Sequence, residues 1–255
     1  MSIKHKFFPL RIWSFCILAL IGVFLYSPKA CGYINFDPIP DEFGYSEGDI
    51  VPLVATFTDS VTGLDKSDYW AEIDWGDGPS EWVEVTIENG GKGFVSGAHI
   101  YGDNINAGVT VDILNVQWAM DMEHFTIWLM NVAPTVDIIV PDLTVDVGQA
   151  VNFLGNFTDP GWLDTFTGNW DFGDGTGPIG ATLSYENNYP YATGIAQGMH
   201  TFFSCGTYEV FLTITDDDGG AGTDSLFVKV VPVPGAVLLC MLGLGIAGLK
   251  LRKFV

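Results

Sequence analysis

Two parts of this chain repeat each other at a spacing of about a hundred residues, and this repeat limits the possible folds more than any other feature. Residues 51–78, VPLVATFTDSVTGLDKSDYWAEIDWGDG, align with residues 151–175, VNFLGNFTDPGWLDTFTGNWDFGDG, once a three-residue difference in length is allowed. Further on, GAHIYGDN at 97–104 pairs with GMHTFFSCG at 198–206, which places His99 opposite His200. The sequence therefore predicts two copies of one module, at residues 33–133 and 134–232.

Apolar residues alternate with polar ones along several segments of both copies, which is the pattern of half-buried β-strands. In the first copy these apolar positions are Val51, Leu53, Ala55 and Phe57, then Val109, Val111 and Ile113, then Phe125, Ile127 and Leu129. In the second copy they are Val151, Phe153, Gly155 and Phe157, then Tyr208, Val210, Leu212 and Ile214, then Leu226, Val228 and Val230. With about seven short strands per hundred residues and no helical period in the mature chain, the pattern predicts an antiparallel β-sandwich for each copy.

The first 32 residues have the order of a secretory signal. Lys4, Lys6 and Arg11 precede an apolar run at 12–26, and the small residues Ala30 and Gly32 follow it. This order predicts a signal peptide at residues 1–32, cleaved after Gly32. The alternative is a lipoprotein in which Cys31 is acylated.

The last residues, VPVPGAVLLCMLGLGIAGLKLRKFV, form an apolar run at 233–249 followed by a basic cluster. A run of this length is at the short limit for a membrane-spanning helix, and its basic end would stay in the cytoplasm. The segment also resembles the PEP-CTERM sorting signal of exopolysaccharide-producing bacteria, although Val233 stands where the motif has glutamate. The resemblance implies an exosortase-type enzyme as a partner and the cell envelope or exterior as the location, with a transient or stable membrane anchor at residues 233–255.

Between the two apolar ends, the chain is strongly acidic. Residues 33–232 contain all 31 acidic residues and only three lysines, Lys66, Lys92 and Lys229, which gives a net charge of −28. Binding to nucleic acid or to an anionic membrane surface needs clustered Lys and Arg, so this composition argues against both. Cations are the partners that such a surface favours.

The second copy carries the motifs of a known family. NWDFGDGTG at 169–177, the pair His200 and Phe202, and GTYEVFLTITDDDGG at 206–220 resemble the PKD (polycystic kidney disease) domain over residues 134–232. The first copy keeps IDWGDG and HIY but lacks the tyrosine of the later run, so it resembles a divergent PKD-like module. The resemblance implies two tandem immunoglobulin-like β-sandwiches. With the sorting signal, it implies a non-catalytic module for adhesion, spacing or matrix association at the bacterial envelope.

Acidic loops in the second copy raise the question of a calcium site. The candidate ligands lie in or beside predicted loops: Asp159, Asp164, Asp171, Asp174, Asp216, Asp217 and Asp218. Calcium takes six to eight oxygen ligands, and loops that converge at one end of a sandwich would supply them. The alternative is that these aspartates form turns and a solvated surface, with NWDFGDGTG acting only as a strand and a turn.

The chain shows no recognisable catalytic motif, since it has neither a nucleophile elbow nor a zinc-ligand spacing. A small glycan-acting enzyme with two facing carboxylates is the weakest of the alternatives. A calcium-dependent carbohydrate- or protein-binding module is the stronger one, with aromatic side chains that could stack on a ligand. The candidates for such stacking are Tyr69, Trp70, Trp82, Trp118 and Trp162. Extracellular polysaccharide or a surface protein would then be the partner.

Overall fold

The computed structural model describes residues 32–233 and Gly235. The predicted signal segment up to Cys31 and nearly all of the predicted sorting tail lie outside the described residues. Among those residues, no helix is both long and apolar enough to cross a membrane.

The first module contains nine strands that form two sheets. The strands are β1 (Ile34–Phe36), β2 (Glu42–Ser46), β3 (Ile50–Asp59), β4 (Tyr69–Asp74), β5 (Glu81–Val83), β6 (Val85–Ile87), β7 (Lys92–Ile100), β8 (Asn106–Asn115) and β9 (Met120–Met130). One sheet has the order β1-β3-β7-β6 and the other the order β2-β9-β8-β4-β5. A single turn of 3-10 helix, Lys66–Asp68, precedes β4.

The second module repeats this topology. Its strands are β10 (Thr135–Ile138), β11 (Leu143–Asp146), β12 (Ala150–Asp159), β13 (Thr167–Asp171), β14 (Ile179–Gly180), β15 (Thr182–Asn188), β16 (Tyr191–Thr201), β17 (Gly206–Thr215) and β18 (Ala221–Val231). They form the sheets β10-β12-β16-β15 and β11-β18-β17-β13-β14. The expected fold class is therefore confirmed: the described chain is all-β and consists of two tandem immunoglobulin-like sandwiches.

One strand pair in each module differs from the purely antiparallel arrangement that was expected. Strand β2 runs parallel to β9, and β11 runs parallel to β18. The reason is that the first two strands of each module belong to different sheets. After β1 pairs with β3, the chain crosses to the other sheet, where β2 runs alongside the last strand in the same direction.

The alternating residues and the NWDFGDGTG motif form the core of the second sandwich. The side chains of Trp170 and Phe172 are fully buried, whereas Asp171 between them points toward the opposite face. Phe153 contacts both rings, at centroid distances of 5.6 Å and 5.1 Å. A Cβ atom on Gly198 would lie only 2.5 Å from the indole of Trp170, so glycine is needed there. The predicted role of the motif aromatics in the core is confirmed.

We expect Trp170→Ala to destabilise the second module by about 3 to 5 kcal/mol, because it leaves a large cavity between the sheets. Urea unfolding followed by far-UV circular dichroism measures this change. Trp82→Ala is the matched control, since Trp82 is 53% exposed and its truncation leaves no buried cavity. Equal stability losses for the two variants would contradict the assignment of Trp170 to the core.

Candidate metal site

The two sandwiches meet end to end across a short joint. Strand β9 ends at Met130 and β10 begins at Thr135, so only residues 131–134 connect them. The backbone N–H of Leu163 donates to the carbonyl of Gly102 across the joint, at 3.0 Å. A Cβ atom on Gly48 would lie 2.5 Å from the Cβ atom of Pro160, so the two modules approach closely here.

Seven carboxylates lie at this joint, and we call them the junction cluster. Two loops at one end of the second sandwich supply five aspartates: Asp159 and Asp164 lie on the β12–β13 connection, and Asp216, Asp217 and Asp218 lie on the β17–β18 connection. The facing end of the first module supplies Glu47 and Asp103. Within the cluster, three sets of carboxylates have oxygens that all lie within 4.8 Å of one another: Glu47, Asp103 and Asp164; Asp159, Asp164 and Asp216; Asp164, Asp217 and Asp218. Asp164 belongs to all three sets.

Four of these side chains are almost completely removed from solvent. Asp159 is 0% exposed, Asp164 and Glu47 are 2% exposed, and Asp216 is 5% exposed. Within the described part of the chain, several of their buried oxygens have no hydrogen-bond donor: Glu47 Oε2, Asp159 Oδ2, and both Asp164 Oδ1 and Oδ2. Burying a charged oxygen without a donor or a cation is costly, so these atoms favour the binding of a cation.

Hydrogen bonds hold one oxygen of Asp159 and both oxygens of Asp216. Asp159 Oδ1 accepts from the N–H of Gly161 at 2.7 Å, and Asp216 Oδ1 accepts from the N–H of Gly220 at 2.7 Å. The Nδ2 group of Asn131, in the connecting segment, donates to Asp216 Oδ2 at 3.0 Å, and Asn131 Oδ1 is buried without a donor. Asp159 is thus anchored through Oδ1, which leaves its Oδ2 atom and both oxygens of Asp164 available to a ligand.

Burial and mutual repulsion change the protonation of the cluster. Desolvation raises the pKa of Asp164 to about 8, with a further contribution from Glu47 and Asp159. Desolvation also raises the pKa of Glu47 to about 7 and that of Asp159 to about 6. The ion pairs among the described residues join Lys66 to Glu84, His99 to Asp77 and His200 to Asp174, so none of them neutralises the junction cluster.

The first module shows how the same position is satisfied without a metal. Asp59 ends β3 as Asp159 ends β12, and it is also buried. Its Oδ2 atom accepts from Tyr69 Oη at 2.8 Å and from Asn115 Nδ2 at 2.7 Å.

Asn115 corresponds to Asp216, because each side-chain oxygen accepts two backbone N–H groups in the turn that follows. Phe166, four residues before Trp170, stands where the first module has Tyr69, four residues before Ile73. The second module has therefore lost both donors and gained a carboxylate.

The donor set fits a hard divalent cation. The three sets contain only carboxylates, with neither His nor Cys, and oxygen ligands of this kind select Ca²⁺ or Mg²⁺ over zinc or copper. A separation of up to 4.8 Å between oxygens is twice a Ca–O distance of about 2.4 Å. Asp159, Asp164 and Asp216 would hold one ion, and the flexible coordination of calcium suits such a site better than the strict octahedral geometry of magnesium.

Two of the seven aspartates predicted from the sequence lie elsewhere. Asp171 ends β13 at the opposite end from Thr167, the residue that pairs with Thr215 next to Asp216. Asp174 accepts from His200 at 2.8 Å, and His200 pairs with Val151 near the start of β12, whereas Asp159 ends that strand. The structure therefore separates Asp171 and Asp174 from the junction cluster by most of the length of the sandwich.

The other five predicted aspartates come together, but the structure adds residues that the sequence reasoning missed. Glu47 and Asp103 come from the other module and Asn131 from the connecting segment. Glu47 corresponds to Val147 of the second module, because the N–H of Glu47 donates to Met130 as that of Val147 donates to Val231. An acid at one position of the repeat and an apolar residue at the other is visible in the sequence.

The aromatic residues proposed for ligand stacking fall into three groups. Tyr69 is only 6% exposed, and its hydroxyl donates to Asp59, so it belongs to the interior. Trp70, Trp82 and Trp118 are exposed. Trp162 lies at the joint, where its ring meets Tyr189 edge to face at a centroid distance of 5.1 Å.

Fold and site together define a class: tandem β-sandwich proteins with an acidic joint. Residues 131–230 match the family model described as the PKD domain, which supports a PKD-domain protein. Collagenase ColA of Clostridium perfringens (strain 13 / Type A) is 34% identical over 96 residues, which is 37% of this chain and 7% of that protein. The chain therefore spans only a small part of the length of that relative.

Solved structures of tandem immunoglobulin domains are also similar. The structure titled "Anomalous substructure of Titin-A168169" matches with a TM-score of 0.39 and 11% identity, over 78% of this chain and 98% of that chain. The titin domains z1z2 in complex with telethonin match with a TM-score of 0.36 and 13% identity, over 79% of this chain and 98% of that chain. Likenesses at this level carry no argument about the site.

We expect the stability of the metal-free protein, kept in chelator, to fall as the pH rises from about 4 to about 8. The three raised pKa values mean that the folded state holds protons that the unfolded state has already released in this range. The stability present at low pH is therefore lost as the pH passes the folded pKa values. Melting temperatures measured in chelator across this range check the prediction.

Asp164→Asn is the informative variant for this experiment, because it removes the group with the most raised pKa and keeps the shape. Its melting temperature should fall less steeply with pH than that of the unmodified chain. Identical slopes would contradict the assignment of the pH dependence to the junction cluster, since repulsion among the remaining acids is common to both proteins.

Proposed function

We propose that this protein is a non-catalytic, calcium-stabilised spacer or adhesion module of the bacterial exterior. The observation that carries the proposal is the group of buried carboxylate oxygens at the joint that have no donor among the described residues. The PKD-domain match and the immunoglobulin-like fold support a binding or spacing role, because such folds typically serve as non-catalytic modules.

Calcium would act here as a structural ligand. It would take the place of the hydrogen bonds that Tyr69 and Asn115 provide in the first module. A ligand that binds only the folded state stabilises it by about 2.7 kcal/mol when its free concentration is a hundred times Kd. The extracytoplasmic location proposed from the signal and tail sequences would expose the chain to a calcium supply outside the cell.

The sequences at the two ends of the chain support the parts of the proposal that concern secretion and sorting. The basic, apolar and small residues of the first 32 positions support secretion, and the tail that resembles PEP-CTERM supports sorting by an exosortase-type enzyme. Matrix association would then involve extracellular polysaccharide or a surface protein, and the tail would serve as a membrane anchor before or without cleavage.

A cleft at the joint favours a second candidate function, calcium-dependent binding of a carbohydrate or a protein. It has a volume of about 510 Å³, and its lining includes Trp162, Leu163, Tyr189 and Ile50. Aromatic faces of this kind stack on sugars. Asp77 is the only carboxylate among the described lining residues, and glycoside hydrolysis needs a pair. The cleft therefore suits binding better than hydrolysis.

We expect calcium to raise the melting temperature of the second module by several degrees, because about 1 kcal/mol corresponds to about 4 to 8 °C for a domain of this size. Asp216→Asn should abolish this rise, since asparagine keeps the turn, as Asn115 does, but removes the charge. Calorimetry with calcium and with chelator measures the effect.

Asp171→Asn is the matched control, since Asp171 also accepts a backbone N–H, from Gly173 at 3.0 Å, but lies away from the joint. It should respond to calcium like the unmodified chain. An unmodified chain whose melting temperature is the same in calcium and in chelator would refute the proposed calcium site. Binding to a glycan array in calcium and in chelator tests the second candidate function.

A further inference from the structure

We infer that Glu47, Asp103 and Asp164 form a second cation site that is shared between the two modules, so that calcium fixes the orientation of one sandwich relative to the other. The inference rests on the proposed function, because Asp164 also serves the site within the second module. It goes further by assigning a metal-binding role to the first module.

The geometry of this set meets the needs of an ion. Oxygens of Glu47, Asp103 and Asp164 all lie within 4.8 Å of one another. Glu47 Oε1 accepts from the N–H of Val132 at 2.7 Å, which fixes the side chain against the connecting segment. Glu47 is 2% exposed, and its Oε2 atom has no donor among the described residues. This buried, unpartnered oxygen is an observation separate from the mere proximity of the three acids.

Asp164 has the capacity to serve two ions. Both of its carboxylate oxygens are buried and lack donors, whereas Asp159 and Asp216 each use an oxygen to bind backbone N–H groups. One oxygen of Asp164 can face Asp159 and Asp216 while the other faces Glu47 and Asp103. A carboxylate binds calcium through one oxygen or through both, so the two oxygens of Asp164 are each able to act as a ligand.

The internal repeat shows that the acids of the first module are specific to the joint. The position of Glu47 is taken by Val147 in the second module, as the matching backbone hydrogen bonds of the two turns establish. Gly48 donates to Tyr101 as Gly148 donates to Phe202, so Asp103 corresponds to Ser204. The second module thus carries no acid at either position. Both acids occur only where one sandwich faces the other.

An ion at this position would change the balance of forces across the joint. Without a cation, the ionised forms of Glu47 and Asp103 repel the ionised aspartates of the second module, and close like charges in a buried setting repel strongly. The direct contacts that oppose this repulsion include the Leu163 to Gly102 backbone bond. A shared cation converts the repulsion into attraction to a common centre, so it should narrow the range of orientations of the two modules.

The test measures calcium stoichiometry and module orientation on the full chain with calcium ions alone as the probe. Isothermal titration gives the number of ions bound by the unmodified chain, by Glu47→Gln and by the control Glu88→Gln, whose side chain is exposed. Glutamine keeps the oxygen that accepts from Val132. Spin labels on the exposed Cys205 and on Thr86→Cys report the distance between modules, with the other cysteines replaced by serine.

We expect two ions for the unmodified chain and for Glu88→Gln, and one ion for Glu47→Gln. Calcium should narrow the distance distribution in the first two proteins but not in Glu47→Gln. Equal stoichiometry of one ion in all three proteins, or the same narrowing in all three, would overturn the shared site while leaving the proposed function in place. An unmodified chain that binds no calcium would overturn both.

Discussion

The structure of the joint depends on the burial of Asp164 without a hydrogen-bond donor. A carboxylate removed from water must gain a proton, a donor or a cation, because its isolated charge is several kcal/mol too costly to bury. Protonation is the response of the metal-free chain, and burial accordingly raises the pKa of Asp164 to about 8. A cation is the alternative response, and the nearby acids make it the more favourable one, since a single proton cannot neutralise a group of carboxylates.

The two modules resolve one structural problem in two ways. Each has a buried aspartate at the end of its third strand, Asp59 in one and Asp159 in the other. A tyrosine and an asparagine supply neutral donors to Asp59, so that module needs no ion at its outer end. At the inner end of the second module the donors are gone and an acid has entered. The need for a cation is thereby concentrated at the joint.

Much of the fold is predictable from the sequence because alternation with period two directly encodes which face of a strand is buried. Residues such as Val51, Phe153 and Leu212 are buried as expected. The parallel edge strands were not predictable, because a short strand carries no signal that tells which neighbour it will pair with. That choice depends on where the chain crosses between sheets.

The candidate site was only partly accessible to the same reasoning. Five of the seven predicted aspartates lie together, since their loops follow strands that end on the same side. Asp171 and Asp174 do not join them because the loops at the two ends of a strand lie at opposite ends of the sandwich. The composition of a loop does not reveal at which end it lies. Glu47 and Asp103 belong to a surface that exists only when two modules pack end to end.

Because the chain consists of two repeated modules, charge at the joint affects how the modules are oriented relative to each other. The described lysines are Lys66, Lys92 and Lys229, and none of them forms an ion pair with the junction cluster. The described part of the chain therefore provides no basic counter-charge there. Acids elsewhere on the surface face water, where salt largely screens their repulsion beyond about 10 Å. The joint instead shields four of its acids from water: Glu47, Asp159, Asp164 and Asp216. These acids are divided between two bodies that residues 131–134 connect. Their repulsion therefore pushes the facing ends of the two modules apart and changes the angle between them. A cation bound there draws the same ends together.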